Sequence, residues 1–225
     1  MDLSLIACGL SEIHLTDWRA KPVHKSIIAD LTALANASKQ AGFDLTIASA
    51  FRNFQRQATI WNSKFLGQRP VYDINNCEVK LATLSEIEKC KAIMLFSALP
   101  GASRHHFGSD LDIYAKNCLN SEQSLQLAPW EYQSGGPFSE FSAWLDENLT
   151  DFGFFKPYAT YNGGVAQEPW HISHITTSEQ LEQHQNIDAI ADAISQHDIL
   201  GKQTILVNLK SLHEQFVTNI IKVQL

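Results

Sequence analysis

The 225-residue sequence contains no apolar run of the roughly 18 residues that would span a bilayer. It is short of charge. Asp, Glu, Lys and Arg make up 18%, against an ordinary share of about 25%, which argues against a disordered or coiled-coil chain. Positive charge is scarcer still: 17 Lys and Arg face 24 Asp and Glu, for a formal net charge of −7. Such a balance has no large electrostatic hold on phosphates, so no nucleic-acid partner is expected. The four cysteines, Cys8, Cys77, Cys90 and Cys118, include no C-x-x-C pair. That argues against a zinc knuckle and suits free, mostly buried thiols in a reducing compartment. No internal repeat, low-complexity segment or interdomain linker is visible. The start of the chain carries no readable export signal. Asp2 stands where a signal peptide has Lys or Arg, and the apolar stretch through Leu5, Ile6, Ala7 and Cys8 is short. The expected compartment is the cytoplasm for the sequence as it stands, or the periplasm if a leader is missing.

Hydrophobic residues make up 44%, enough for a real core. A helix is predicted over 22–40 from the stripe Val23, Ile27, Ile28, Leu31, Leu34 and Ala35. An alternating strand follows at 43–48, and a helix at 53–66. Thr83 and Glu86 read as a capping box opening a helix to about Leu99, where Pro100 and Gly101 stop it. Leu111 and Ile113 alternate with Asp110 and Asp112 in a strand over 109–114. Residues 116–137 read as irregular, 138–149 as a helix and 170–175 as a strand. A helix capped by Ser178 reaches about Gln196, and a last helix runs from Lys202 to the C-terminus. Helices and strands in this unrepeated order imply an α+β fold. The whole of 1–225 reads as one domain, its motifs within about 10–176 and a helical extension over 178–225.

Three segments carry chemistry. The first is 103–112, where His105, Gly108 and Asp112 straddle a loop running into a strand; imidazole nitrogen and carboxylate oxygen are both good zinc ligands. The second is 168–171, where Glu168 precedes His171 by three residues. Three protein ligands and one open position make a catalytic zinc site, and a nearby free glutamate serves as its general base. The third is 49–57, where Arg52 ends a strand and opens a helix, placed to clamp a carboxylate or face an oxyanion.

These segments resemble the M15 group of peptidases, the VanY-like D-alanyl-D-alanine carboxypeptidase family. Its pattern S-x-H-x-x-G-x-A-x-D is matched by Ser103, His105, Gly108 and Asp112, and its E-x-W-H by Glu168, Trp170 and His171. Its S-G-Y-R-S segment, with a glutamine five after the arginine, is matched by Ser49, Arg52 and Gln57, while Ala50, Phe51 and Asn53 depart. The stretch from Phe154 to Tyr158 resembles the family's G-F-x-x-x-Y. The resemblance implies a central antiparallel sheet with flanking helices, as in hedgehog and D,D-peptidase domains. It implies one zinc ion held by His105, Asp112 and His171, with Glu168 as the base that activates water. Arg52 would stabilise the tetrahedral intermediate or hold a substrate carboxylate, and Ser103, Gln57, Tyr158 and Trp170 would line the substrate pocket. The implied partner is a peptidoglycan stem peptide or muropeptide, and the implied reaction is removal of a terminal D-alanine. Two alternatives stand: an endopeptidase or L,D-carboxypeptidase with the same chemistry, and a non-catalytic zinc-binding module.

One departure matters. Asp110 stands where the pattern has Ala, and on an ideal strand it shares a face with Asp112. Of the other candidates, His106 reads as a structural neighbour, and His174 as lying on the opposite strand face from His171. Arg56 reads as solvated and Arg104 as reaching the surface or a loop. His14, His24, His184, His197 and His213 read as surface residues.

Overall fold

The computed structural model describes residues 2–223. In chain order its elements are α1 (Leu3–Ala7), β1 (Leu15–Trp18), β2 (Lys21–His24), α2 (Ile28–Gln40), β3 (Leu45–Ser49), α3 (Phe54–Phe65) and α4 (Glu86–Met94). There follow β4 (Asp110–Ala115), α5 (Pro129–Tyr132), α6 (Ser139–Asn148), β5 (Phe154–Phe155), β6 (His171–His174), α7 (Ile175–Glu182), α8 (Ile187–Ser195) and α9 (Lys202–Leu212). β1 and β2 form a hairpin, and the other four strands form one antiparallel sheet in the order β3-β4-β6-β5. The expected α+β architecture is therefore present. Among the described residues, no helix is long and apolar enough to cross a membrane.

Strand alternation decides where the site lies. On β4, Leu111, Ile113 and Ala115 enter a core with Ile172 of β6, Leu31 and Leu34 of α2, and Phe141 and Leu145 of α6. Each large apolar side chain removed from water there contributes about 1.5–3 kcal/mol. Asp110 and Asp112 point to the other face. The register sets Asp110 opposite Ser173, Leu111 opposite Ile172 and Asp112 opposite His171, so apolar meets apolar and polar meets polar. A second core is helical. It joins Phe54 and Trp61 of α3, Ile93 and Met94 of α4, Ile190 and Ile194 of α8, Leu209 and Leu212 of α9, and Phe216 beyond it.

Several expected boundaries move, each for a tertiary reason. The helix placed at 22–40 begins only at Ile28, because Pro22 and Val23 belong to β2. The hairpin turns at Arg19 and Ala20, both with positive φ (50° and 62°). That turn usually announces itself with Asn-Gly, and here it does not. The capping box belongs to Ser85 and Glu88, not to Thr83 and Glu86: Glu88 Oε2 accepts from Ser85 N at 2.9 Å. The helix then stops at Met94, well before Leu99, and the carbonyls beyond it go to tertiary partners, Leu95 O to Ala166 N and Ala98 O to Gln57 Nε2. The helix expected over 178–196 is two. His174, not Ser178, caps α7; the buried Gln185 side chain reaches Ala7 O; and Asn186 caps α8. The last helix ends at Leu212 and continues as a wider turn, His213–Val217; residues 224 and 225 lie outside the described residues.

Candidate active site

His105 lies in the tight helical turn Arg104–Phe107, which Gly108 closes at φ +69°. A Cβ on Gly108 would fall 2.7 Å from Leu15 Cδ2 and 3.0 Å from His24 N, so only glycine fits against the β1–β2 hairpin. β4 then carries Asp112 across from His171. One ligand atom from each of His105, Asp112 and His171 lies within 4.8 Å of the others, and all three residues are buried. His105 Nε2 is 3.3 Å from Asp112 Oδ2, and His171 Nδ1 is 3.3 Å from Asp112 Oδ1. Glu168 Oε2 stands 3.5 Å from His171 Nδ1.

The far side of each ring fixes its proton. His105 Nδ1 is 3.0 Å from Ala50 O, which can only accept, so Nδ1 carries the hydrogen and Nε2 faces Asp112 with its lone pair. His171 Nε2 is 3.2 Å from Asp110 Oδ1, so its Nδ1 is left facing Asp112 and Glu168. Among the described residues, Asp112 Oδ1 and His171 Nδ1 are buried without a hydrogen-bond partner. Lone pairs turned on one another leave room for a proton or a cation between them. In the metal-free chain the electrostatics say the same. Burial pushes Asp112 up, but His105 and His171 outweigh it and hold the carboxyl well below the ordinary range. Burial pushes His171 down, but the surrounding carboxylates of Asp110, Asp112 and Glu168 raise it well above the usual imidazole value. The donor set fits a zinc ion.

A cavity of about 230 Å³ opens onto this group. Arg52, Ser103, Tyr158, Glu168 and Trp170 line it together with the three clustered residues. Tyr158 sits edge-on to His171, ring centroids 5.1 Å apart. Arg52 is locked from behind: its Nη1 donates to Gln57 Oε1 at 2.9 Å, and Gln57 Nε2 donates to Ala98 O at 2.7 Å. Gln57, expected in the pocket lining, is fully buried and not part of that wall; its contact is with Arg52.

The remaining candidates sort themselves by contact. His106 is buried, bonding Arg52 O and Gly101 N through its two ring nitrogens. His174 faces away from His171 and meets Asp30 at 3.1 Å. Arg56 is exposed, as expected. Arg104 does not reach the surface: it is buried against Asp110, Ser173 and Glu182. Nor is His14 a surface residue, since it is 2% exposed. Sequence reasoning missed the cavity's apolar wall of Met94, Phe96, Val165, Phe216 and Val217. Phe216 was legible only as the end of a core-facing stripe. Leu127 was also missed. It lines the cavity with its backbone at φ +53°, held by Glu131, whose carboxylate accepts from Gln126 N and Ala128 N.

Comparison with known proteins bears on this arrangement. A Haemophilus influenzae protein of uncharacterised role is 37% identical over 121 residues, 53% of this chain and 92% of that protein. A D-alanyl-D-alanine carboxypeptidase of Enterococcus faecalis is 26% identical over 148 residues, 64% of this chain but 45% of its own length. The fold resembles that of VanYB in complex with D-Ala-D-Ala, with TM-score 0.52 and 23% identity over 76% of this chain and 81% of that one. It also resembles a vancomycin-resistance D,D-pentapeptidase VanY solved with Zn(II), with TM-score 0.50 and 24% identity over 76% and 89%. The family model for VanY, D-alanyl-D-alanine carboxypeptidase, matches residues 20–177, a span that contains Arg52, Ser103, His105, Asp112, Tyr158, Glu168 and His171. The chain belongs to the VanY family of D-alanyl-D-alanine carboxypeptidases and is a hydrolase of the carboxypeptidase kind.

Proposed function

We propose that the chain is a zinc-dependent carboxypeptidase that removes a terminal D-alanine from peptidoglycan stem peptides. The observation that carries this is the convergence of His105, Asp112 and His171, with Asp112 Oδ1 and His171 Nδ1 buried and unpartnered among the described residues. These three residues would hold the ion and leave one position open. Zinc, when bound, supplies Lewis acidity that brings water's pKa down towards ~7 and polarises a carbonyl. Glu168 takes a proton from the attacking water as its oxygen bonds to the scissile carbonyl carbon. It then gives that proton to the amide nitrogen as the C–N bond breaks. The products are a peptide shortened by one residue, with a new carboxylate, and free D-alanine. Arg52, held in place by Gln57, faces the developing oxyanion. Ser103 and Tyr158 offer hydroxyls to the substrate's terminal carboxylate, and Trp170 forms part of the wall. The family match ends at residue 177, yet Phe216 and Val217 line the same cavity, which supports reading the C-terminal helices as part of one peptidase domain.

The test is hydrolysis of a synthetic stem pentapeptide ending in D-Ala-D-Ala, with and without added zinc, read by mass. Loss of one D-Ala, abolished by a chelator and by Glu168→Gln, is the expected result. An internal cut would move the reading to an endopeptidase, and cleavage only of tetrapeptides to an L,D-carboxypeptidase. No cleavage of either peptide by a zinc-loaded chain would overturn it.

A further inference from the structure

Asp110 occupies the position where the family pattern has Ala, on the same strand face as Asp112. Its carboxylate is fully buried and fully engaged. Oδ1 accepts from Arg104 Nε at 2.7 Å and from His171 Nε2 at 3.2 Å, and Oδ2 accepts from Ser109 Oγ at 3.1 Å. With both oxygens used, Asp110 does not share the ion with Asp112. Arg104 is held in turn on three sides. Its Nη2 donates to Ser173 Oγ at 2.8 Å, and its Nη1 donates to Glu182 Oε1 of α7 at 2.6 Å. The β4–β6 register explains the fit. Ser173 is the residue paired with Asp110, so one guanidinium spans a cross-strand pair while the next pair on that face is Asp112 and His171.

We propose that Asp110 and Arg104 are positioning residues for the metal ligand His171. Asp110 holds the hydrogen on Nε2 and so presents the Nδ1 lone pair to the ion. Arg104 fixes the Asp110 carboxylate in that orientation and balances its charge in the interior. The inference rests on the metal reading above. Its physical basis is general: a ligating imidazole whose other N–H meets a carboxylate is oriented and made more basic, and losing such a partner typically costs 10–100-fold in metal affinity.

The test is zinc affinity, measured by competition with a chromophoric chelator on the full chain. Asp110→Asn keeps the shape and removes the charge. The double variant Arg104→Gln with Asp110→Ala removes both members, so no buried charge is left alone. Both should raise the zinc Kd about 10–100-fold while circular dichroism stays that of the folded chain. Independently of any variant, nitrogen-15 NMR of the zinc-loaded wild type should find His171 coordinated through Nδ1 and protonated at Nε2. Tight wild-type binding with an unchanged Kd in a folded variant overturns this inference alone, as does coordination through Nε2. Absence of zinc binding by the wild type overturns the metal reading and this inference with it.

Discussion

Among the described residues, two pairs of histidine rings stand in contact, with opposite surroundings. His105 and His171 have ring centroids 4.9 Å apart; His14 and His24, 5.2 Å apart. The first pair is hemmed in by carboxylates: Asp112 touches both rings, and Asp110 and Glu168 touch His171. Among the described residues, the second pair has no carboxylate within ion-pair distance. His14 packs edge-on to Phe51, and among the described residues neither of its ring nitrogens has a hydrogen-bond partner. His24 spends Nδ1 on Ser26 N and Oγ. Proximity of imidazoles is thus not what makes a candidate metal centre. Negative charge converging on the same point makes it, and strand pairing delivers that charge here.

Glu168→Gln sharpens the contrast most. It removes the carboxylate proposed to carry the proton and leaves His105, Asp112 and His171 in place. We expect kcat to fall about 10²–10⁴-fold with zinc still bound, measured by peptide hydrolysis alongside metal analysis. Next comes a direct comparison of the pairs. His171→Ala removes one proposed ligand and should weaken zinc binding about a hundred- to thousandfold, a share of the ~10–16 kcal/mol that a full protein ligand set can supply. His14→Leu should leave the zinc Kd unchanged. A comparable loss in both would mean that the pairs act together, and the contrast would fail. A smaller effect is expected from Phe216→Leu on the cavity's apolar wall, with KM for the pentapeptide rising several-fold and kcat little changed.

The candidate ligand cluster was legible from motifs whose spacing encodes a geometry and from the family resemblance those motifs carry. His105, Gly108 and Asp112 specify a turn and a strand, and alternation along Asp110, Leu111, Asp112 and Ile113 sets both carboxylates on one face. The α+β class followed from the unrepeated order of helices and strands, and α2, α6 and α9 from apolar periodicity. What was not legible depends on partners distant in sequence. Arg104 looks like a loop charge until the register brings Ser173 and Asp110 together, and α7 brings Glu182. Gln57 looks like a pocket residue until Ala98 O captures its amide. The break near Gln185 needs Ala7 from the other end of the chain. His14 reads as a surface residue because no local pattern records its packing against His24 and Phe51. Two overlapping boxes, Thr83 with Glu86 and Ser85 with Glu88, obey one rule, and only the structure selects the second.

The smallest expected effect tests that second pair through acidity. Burial, the main cause at both sites, lowers His14 and His24 to about 4 each. The other ring, Lys25 and His174 push His24 the same way, while the nearby backbone of His106 and Phe107, together with Glu12, pulls His14 upward and Lys25 opposes it. In the unfolded chain both rings titrate near ~6.5. Above that pH they are neutral in either state and contribute nothing to pH dependence. As pH falls from about 6.5, the unfolded chain takes up protons that the folded chain refuses, so stability falls, and the loss levels off below about 4. Chemical denaturation of the metal-free chain at pH 7, 5.5 and 4.5 should show that decline. His14→Leu should flatten it. An equal pH slope in wild type and variant would show that His14 is solvated in the folded chain. The two pairs would then differ in exposure rather than in the charge around them.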